Sequence, residues 1–142
     1  MQFRLVFLVL AISSGAADAA IGEQQASIEA IGVERPLFTQ LGIATYYGGA
    51  SVGRETASGE RLARHGLTAA HRTLPFGTII RVTNLQNGRV AMVRINDRGP
   101  NVRRKAPRIL DVSRDAAAIL GITKCGIAKI KIEELASDQP AA

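Results

Sequence analysis

The sequence feature that most constrains the fold is the pair Asn87-Gly88, which separates two alternating apolar runs. The runs extend from Thr78 to Thr83 and from Arg89 to Ile95. Asn and Gly tolerate the positive φ values that a tight turn requires, so this arrangement is the strongest short-range signal for a β-hairpin. The sequence therefore predicts an antiparallel hairpin over residues 78–95, with its turn at Leu85–Gly88.

The second strand of this hairpin runs directly into Asn96-Asp97-Arg98-Gly99-Pro100. Such a run is typical of an ordinary turn, because Asn, Asp, Gly and Pro each favour turn geometry. A functional interpretation is also open, since a strand fixes its last side chain while the following loop leaves that side chain accessible. Two upstream features favour function, a Gly59-Glu60 pair and the run around His71. Their alternatives are a solvated loop glutamate and a buried, hydrogen-bonded histidine.

The remaining patterns are typical of a small all-β protein. Strands rich in β-branched and apolar residues are predicted at Leu41–Tyr47, Arg108–Val112 and Ile127–Leu135. Ser113 is placed to cap a helix that stops at Gly121. About six short strands with one helix suggest a closed β-barrel, in which the strand edges pair with one another.

The N-terminal residues have the pattern of a secretory leader. Residues 1–19 contain an early positive charge, an apolar run from Leu5 to Ile12 and a final Ala17-Asp18-Ala19, the small-x-small pattern of a cleavage site. The run is shorter than the roughly 20 residues of a spanning helix, so cleavage after Ala19 is predicted in preference to an uncleaved anchor. The predicted segments are a signal peptide at 1–19, a flexible lead-in at 20–37, one domain at 38–135 and a disordered tail at 136–142.

The chain is basic, with 18 Lys and Arg against 12 Asp and Glu and a formal net charge of +6. The basic residues are spread from Arg54 to Arg114 instead of forming one arm, which predicts a positive surface that attracts polyanions. Export and an aromatic content of only 4% argue against nucleic acid as the partner. The predicted partner is an anionic polymer of the cell envelope. The exported protein is expected to be a monomer without a membrane anchor.

Cys125 is the only cysteine, so no intramolecular disulfide can form. A reactive thiol and an intermolecular link are both open, but free cysteines are usually buried, and we expect Cys125 to be a small buried apolar residue. His65 has no partner at metal-ligand spacing and is interpreted as a surface residue. No metal site and no cofactor are predicted.

Five ordered motifs resemble the RlpA-like (rare lipoprotein A) family, and the resemblance extends from about Leu41 to Leu135. The motifs are Gly42–Gly48, Thr56–Glu60, Leu67–Thr78, Val82–Gly88 and Asn96–Pro100. The resemblance implies an all-β fold, a six-stranded double-psi β-barrel of the type shared with expansins and barwin-like proteins. It also implies a periplasmic lytic transglycosylase that cleaves peptidoglycan between MurNAc and GlcNAc and forms 1,6-anhydroMurNAc ends. The resemblance further implies a preference for glycan strands stripped of stem peptides.

The acidic and histidine positions of the family fall on Glu60, His71 and Asp97. Breaking a glycosidic bond requires a proton on the departing oxygen, which a carboxylic acid with a raised pKa can supply, and Asp97 is the predicted acid. The 6-hydroxyl of muramic acid then replaces water and returns a proton to the same carboxylate. Glu60 is expected to stabilise positive charge or orient the sugar. His71 is expected to hydrogen-bond the acid or to contact the substrate.

Four further residues are predicted to contact the substrate, namely Tyr46, Tyr47, Thr68 and Arg98. Core packing explains one of the two tyrosines equally well. Arg98 is expected to point away from Asp97, toward structure or toward lactyl carboxylates of the glycan. A guanidinium resting on the carboxylate would lower its pKa and weaken the acid.

The sequence departs from the family pattern in three respects. No lipid-accepting cysteine follows the leader, no C-terminal peptidoglycan-binding repeat domain is recognised, and the loop between Pro100 and Asp111 is longer than usual. We therefore expect a periplasmic protein without a lipid anchor. The alternative function is a non-catalytic, expansin-like protein that binds glycan strands without cutting them.

Overall fold

The computed structural model describes residues 36–101 and 107–135. This part of the chain forms six strands and one short helix: β1 (Phe38–Tyr46), β2 (Thr68–His71), β3 (Ile79–Asn84), β4 (Val90–Asp97), β5 (Arg108–Val112), α1 (Arg114–Leu120) and β6 (Ile127–Glu134). The strands close into a barrel in the order β1-β5-β2-β4-β3-β6. The pairs β1/β5 and β2/β4 are parallel and the other four are antiparallel. The predicted fold, a six-stranded barrel with one short helix, is confirmed.

The predicted hairpin is confirmed as β3 and β4, which pair from Ile79 opposite Arg94 to Thr83 opposite Val90. Its turn uses a positive φ only at Gly88, where φ is 74°. Asn84 closes the turn, because its backbone bonds to Gly88 and Arg89 at 2.8 Å each. Its buried side chain also donates to the carbonyl of Leu120 at 2.9 Å, which ties the turn to the end of α1.

Two strands differ from the sequence-based prediction by more than two residues. β1 begins at Phe38 instead of Leu41, because β6 pairs with it along its whole first half, starting from Phe38 opposite Glu134. The run around His71 forms β2, a strand that periodicity did not predict. A strand of four residues with three of them buried offers no alternation to detect.

Helix α1 begins and ends where its caps predict. The Ser113 hydroxyl accepts the amide of Ala116, and Asp115 lies in the first turn, where the helix dipole favours an acidic side chain. Gly121 ends the helix with a φ of 73°. Within the described part of the chain, no helix is long and apolar enough to cross a membrane.

The hydrophobic core is formed by aliphatic side chains from all six strands and α1. In β6, Ala128, Ile130 and Ile132 are buried while Lys129 points outward, as strand alternation requires. The prediction that Cys125 is buried is wrong. Cys125 is exposed in the turn before β6, and the nearby Ile122 fills the buried position instead.

His65 is on the surface, as predicted, with a side chain that is 80% exposed. The predicted leader, the lead-in up to residue 35, residues 102–106 of the basic loop and the predicted tail lie outside the described residues.

Candidate functional site

Four neighbouring strands place one residue each in a lateral row on the outside of the barrel. The register pairs Thr45 with Asp111, Asp111 with Ala70, and Ala70 with Asp97. Paired residues project from the same face of a sheet. The residues next to Thr45, Asp111 and Ala70 in the chain are buried in the core, so the row itself projects from the outer face of the sheet. These buried neighbours are Ala44, Leu110, Val112 and Ala69. We call Thr45, Asp111, Ala70 and Asp97 the acidic row.

Asp97 joins this row because β4 contains a bulge. Ala69 pairs with Ile95 while Ala70 pairs with Asp97, which leaves Asn96 as an extra residue. Ile95 is fully buried, so strict alternation would also turn the side chain of Asp97 inward. The bulge reverses this orientation and presents the carboxylate on the outer face.

The half-buried Asp97 carboxylate lines an open cavity of about 320 Å³. Its Oδ1 accepts hydrogen bonds from the backbone N–H groups of Ala57 at 2.8 Å and Arg98 at 2.7 Å. These two bonds fix the plane of the carboxyl group. Tyr47 and Arg54 also line the cavity.

Glu60 belongs to the loop that docks on Asp97 through Ala57. Its carboxylate pairs with both terminal nitrogens of Arg94, at 2.8 and 2.9 Å. The hydrogen bond from Arg94 lowers the pKa of Glu60, so this group is ionised at neutral pH. Arg94 precedes Asp97 by three residues on β4. Glu60 is not among the residues that line the Asp97 cavity, and its charge is paired with Arg94, so its expected electrostatic role stays a prediction.

His71 is buried and bonded within its own turn. Its Nδ1 accepts the amides of Thr73 at 3.2 Å and Leu74 at 3.1 Å, so Nε2 carries the proton and donates to Gln40 at 3.1 Å. The ring faces a second cavity, lined also by Phe38 and Gln40.

The expected hydrogen bond from His71 to the acid is thus absent among the described residues. The reason is the alternation of side chains along a strand. Ala70 projects from the same face as Asp97, so His71, the next residue of β2, projects from the opposite face. A contact of His71 with substrate stays a prediction. The histidine matches the structural alternative raised from the sequence, a buried and hydrogen-bonded ring.

The buried ring of His71 predicts a pH-dependent stability. Burial, followed by the charges of Arg98 and Arg72, lowers the pKa of His71 below its usual value of 6.5. The unfolded chain therefore binds a proton at pH values where the folded protein does not. The stability gained from the neutral ring is complete above about pH 6.5 and is lost as the pH falls toward the lower pKa of the folded state.

We expect the free energy of unfolding, measured in urea, to fall between about pH 7.5 and about pH 5, and to fall less in His71→Asn, whose amide oxygen can still accept the turn amides. The chain has only one other histidine, the exposed His65. His65→Gln should therefore keep the pH dependence of the wild type. An identical fall in all three proteins would assign the effect to other groups.

Arg98 points away from the Asp97 carboxylate, in the predicted orientation. Its guanidinium lies 3.9 Å from the ring centroid of Phe76 and donates to the carbonyl of Leu74 at 2.8 Å. It also donates to the carbonyl of His71 at 3.4 Å. Arg98 therefore braces the turn after β2, and because the residue also lines the Asp97 cavity, its contact with substrate stays a prediction.

The structure separates the two tyrosines. Tyr46 packs against the core and donates its hydroxyl to the carbonyl of Thr123 at 3.2 Å, while Tyr47 lines the cavity of Asp97. Thr68 lies apart from that cavity and pairs with Arg94 on the adjacent strand. A substrate contact by Tyr47 thus agrees with its position, whereas Tyr46 is used for packing.

Sequence reasoning missed Asp111. This carboxylate accepts the hydroxyl of Thr45 and the guanidinium of Arg108, the latter at 3.0 Å. The signal that could have found it is a charged residue between Leu110 and Val112, inside a short apolar strand. Charged residues are seldom placed in a strand of this kind unless they are paired.

Comparison with known proteins finds relatives over most of the described residues. Residues 39–132 match the family model described as lytic transglycolase. The endolytic peptidoglycan transglycosylase RlpA of Neisseria meningitidis serogroup B is 48% identical over 104 residues, which are 73% of this chain and 42% of that protein. The probable endolytic peptidoglycan transglycosylase RlpA of Nostoc sp. is 52% identical over 96 residues, which are 66% of this chain and 25% of that protein. The chain thus spans less than half the length of these curated relatives.

Among solved structures, the Clavibacter michiganensis expansin without ligand has a TM-score of 0.53 and 22% identity. The alignment covers 73% of this chain and 53% of the expansin. At this identity the likeness shows the fold alone, the double-psi β-barrel expected from the sequence.

Proposed function

Because the chain belongs to the RlpA-like family of double-psi β-barrel lytic transglycosylases, we propose that it cleaves peptidoglycan glycan strands between MurNAc and GlcNAc and leaves 1,6-anhydroMurNAc ends. The observation that carries this proposal is the Asp97 carboxylate, which the β4 bulge presents to an open cavity. The relatives support the reaction type, since both are named peptidoglycan transglycosylases.

In the proposed mechanism Asp97 is both acid and base. Its Oδ1 is occupied by two backbone N–H groups, which leaves Oδ2 to carry the proton toward the glycosidic oxygen. The 6-hydroxyl of the MurNAc residue then attacks C1 and gives its proton to the same Oδ2, which restores the acid. In this mechanism Glu60 is assigned the electrostatic role, and its carboxylate, paired with Arg94, belongs to the loop that Ala57 docks on Asp97.

The test is a digestion of purified glycan strands followed by mass spectrometry of the products. Anhydro ends, lighter than hydrolysis products by one water, are expected. Products at the hydrolytic mass would contradict the transglycosylase reaction, because they would show that water attacks C1 in place of the 6-hydroxyl. Strands that bind and remain uncut would favour the non-catalytic, expansin-like alternative.

We also propose that strands without stem peptides are the preferred substrate. The lactyl carboxylate of MurNAc is free only where no peptide is attached to it. Arg54 is exposed at the rim of the Asp97 cavity and carries a positive charge that can bind such a carboxylate. A strand bearing stem peptides would lose this interaction.

Arg54→Gln is expected to raise KM for peptide-free strands about fivefold, since a partly exposed ion pair contributes about 1 kcal/mol. The value of kcat should change little, because Arg54 lies at the rim and does not bond to Asp97. Steady-state kinetics on strands with and without stem peptides measure both parameters. Lys129→Gln, which removes a charge from β6 outside this cavity, is the matched control. An unchanged substrate preference in Arg54→Gln would remove this residue from substrate selection.

This function requires the protein to reach the periplasm, where peptidoglycan lies, and the predicted leader at residues 1–19 supports that location. Cell fractionation tests it. Recovery of the protein only in the cytoplasm, with residues 1–19 intact, would contradict the proposed location.

A further inference from the structure

A second, smaller cavity adjoins the cavity of Asp97. Its volume is about 80 Å³, against about 320 Å³ for the Asp97 cavity, and Tyr47 and Leu62 line both. We call it the arginine cavity, after Arg64 and Arg114 in its lining. Because a cavity of about 150 Å³ is needed to bind benzene, this space accepts a substituent of a sugar and not the sugar ring.

The walls of the arginine cavity are held by hydrogen bonds. The carbonyl of Leu62 accepts the N–H of Gly53 and the N–H of Leu62 donates to the carbonyl of Arg54, both at 2.8 Å. The Ser113 hydroxyl donates to the carbonyl of Gly66 at 2.7 Å, which ties the segment before β2 to the start of α1. The cavity is therefore preformed, and a ligand would order little of the chain on binding.

Two exposed arginines give this cavity a positive charge. Arg64 and Arg114 form no ion pair with any described residue. No acidic side chain of the described residues lines the arginine cavity, whereas Glu55 and Asp97 both line its neighbour. A guanidinium binds a carboxylate through two parallel N–H groups, so the arginine cavity is suited to an organic anion.

The rest of the lining is largely apolar, with aliphatic side chains from Val52, Leu62 and Ala63. Tyr47 adds a buried hydroxyl that has no hydrogen-bond partner among the described residues. Such a group is costly unless a bound molecule supplies the partner. The lining as a whole therefore fits a ligand group that combines a methyl group with a carboxylate.

We infer that the arginine cavity binds the lactyl group of a second MurNAc in the strand that is cut. The inference rests on the proposed function, which places one MurNAc beside Asp97. A lactyl group has one methyl and one carboxylate, and MurNAc recurs at every second sugar of the strand. The carboxylate pairs with Arg64 and Arg114, and the methyl group packs on the apolar wall. This carboxylate is free only in strands without stem peptides, so the cavity and Arg54 select the same substrate.

The test is a calorimetric titration of soluble peptide-free strands into Asp97→Asn, the variant expected to leave them uncut. Adding Arg64→Gln and Arg114→Gln to this variant is expected to raise Kd about fivefold, which corresponds to about 1 kcal/mol. Strands whose lactyl carboxylates are converted to methylamides should bind both proteins equally, because the group that the arginines bind has lost its charge. Arg89→Gln with Lys129→Gln, which removes two charges outside both cavities, is the matched control.

A variant that fills the cavity separates binding in it from attraction to a basic surface. Gly49 lines the cavity, its φ is not positive, and a Cβ placed on it meets no atom within 4 Å. Gly49→Val should therefore melt at the wild-type temperature. It keeps both arginines and is still expected to raise Kd about fivefold, because its methyl groups occupy the space of the lactyl group. Ala50→Val, at the next residue, lines neither cavity and should bind with unchanged Kd.

Wild-type affinity in Gly49→Val, or an equal loss of affinity in the charge control, would overturn the inference. So would a loss in the double arginine variant that is the same on methylamide strands. In each case the release of anhydro ends by the wild type would leave the proposed function standing. A wild type that releases none, with the affinity changes as expected, would overturn the proposed cleavage and leave the arginine cavity as a binding site.

Discussion

Asp97→Asn is expected to abolish strand cleavage, with kcat lowered by about 10²- to 10⁴-fold, the usual contribution of a general acid. The amide has the shape of the carboxyl group and cannot deliver a proton. Its oxygen can still accept the backbone N–H groups of Ala57 and Arg98, so the docked loop should stay in place. The release of anhydro ends measures the loss, and circular dichroism with thermal melting measures the fold.

Asp115→Asn is the control for this change. Asp115 is also an aspartate on the surface, where it accepts the amide of Gly66 at 3.0 Å, but it is in the first turn of α1 and not in the acidic row. Its variant should cleave strands at the wild-type rate. Full activity in Asp97→Asn would remove Asp97 from the mechanism, and a large fall in its melting temperature would show that the acid holds the fold.

Ile132→Ala is expected to lower the free energy of unfolding by about 2–5 kcal/mol. Ile132 is fully buried in β6, paired with Gln40 on one side and with Val82 on the other. Truncation leaves a cavity at the point where β1 and β3 are joined through β6, and a closed barrel has little freedom to collapse around it. Urea unfolding of wild type and variant measures the difference.

The same strand supplies the control. Ile127 begins β6 and is 47% exposed, so Ile127→Ala should change the free energy of unfolding by less than about 1 kcal/mol. Equal losses in the two variants would mean that the interior of the barrel is not where the structure places it. The two isoleucine variants also bear on function, because the acidic row exists only while its four strands remain in register.

The Asp97 and Ile132 variants separate chemistry from folding. If both predictions hold, Asp97→Asn is folded and inactive, while Ile132→Ala cuts at temperatures where it remains folded. The second result follows because Ile132 lies in the core and contributes no group to the cavity. Assays of Ile132→Ala below its melting temperature would detect any direct effect on kcat.

Features that depend on nearby residues could be predicted from the sequence. The β3–β4 hairpin follows from alternation and one glycine turn, and α1 follows from Ser113 and Gly121 at its two ends. Asp97 at the end of β4 follows from the hairpin. The requirements of turns, caps and alternation are met by residues close together in the chain, so the local sequence carries the information.

The family resemblance singled out Glu60, His71 and Asp97 together, but it did not show in which direction their side chains point. The structure brings the loop of Glu60 onto Asp97 and turns His71 into a different cavity. It also divides the tyrosine pair, so that Tyr46 packs and Tyr47 borders the acid. Each of these outcomes depends on which face of a strand a residue occupies.

The sequence by itself determined the β-class of this protein, its hairpin, its capped helix and the carboxylate at the end of β4. Only the tertiary structure decided that Asp97 faces outward and that Asp111 shares its row. Side-chain direction in a strand alternates with every residue, so the single extra residue in β4, Asn96, reverses it. The neighbours of Asp97 in the row come from strands that are distant in sequence, and closure of the barrel sets their register.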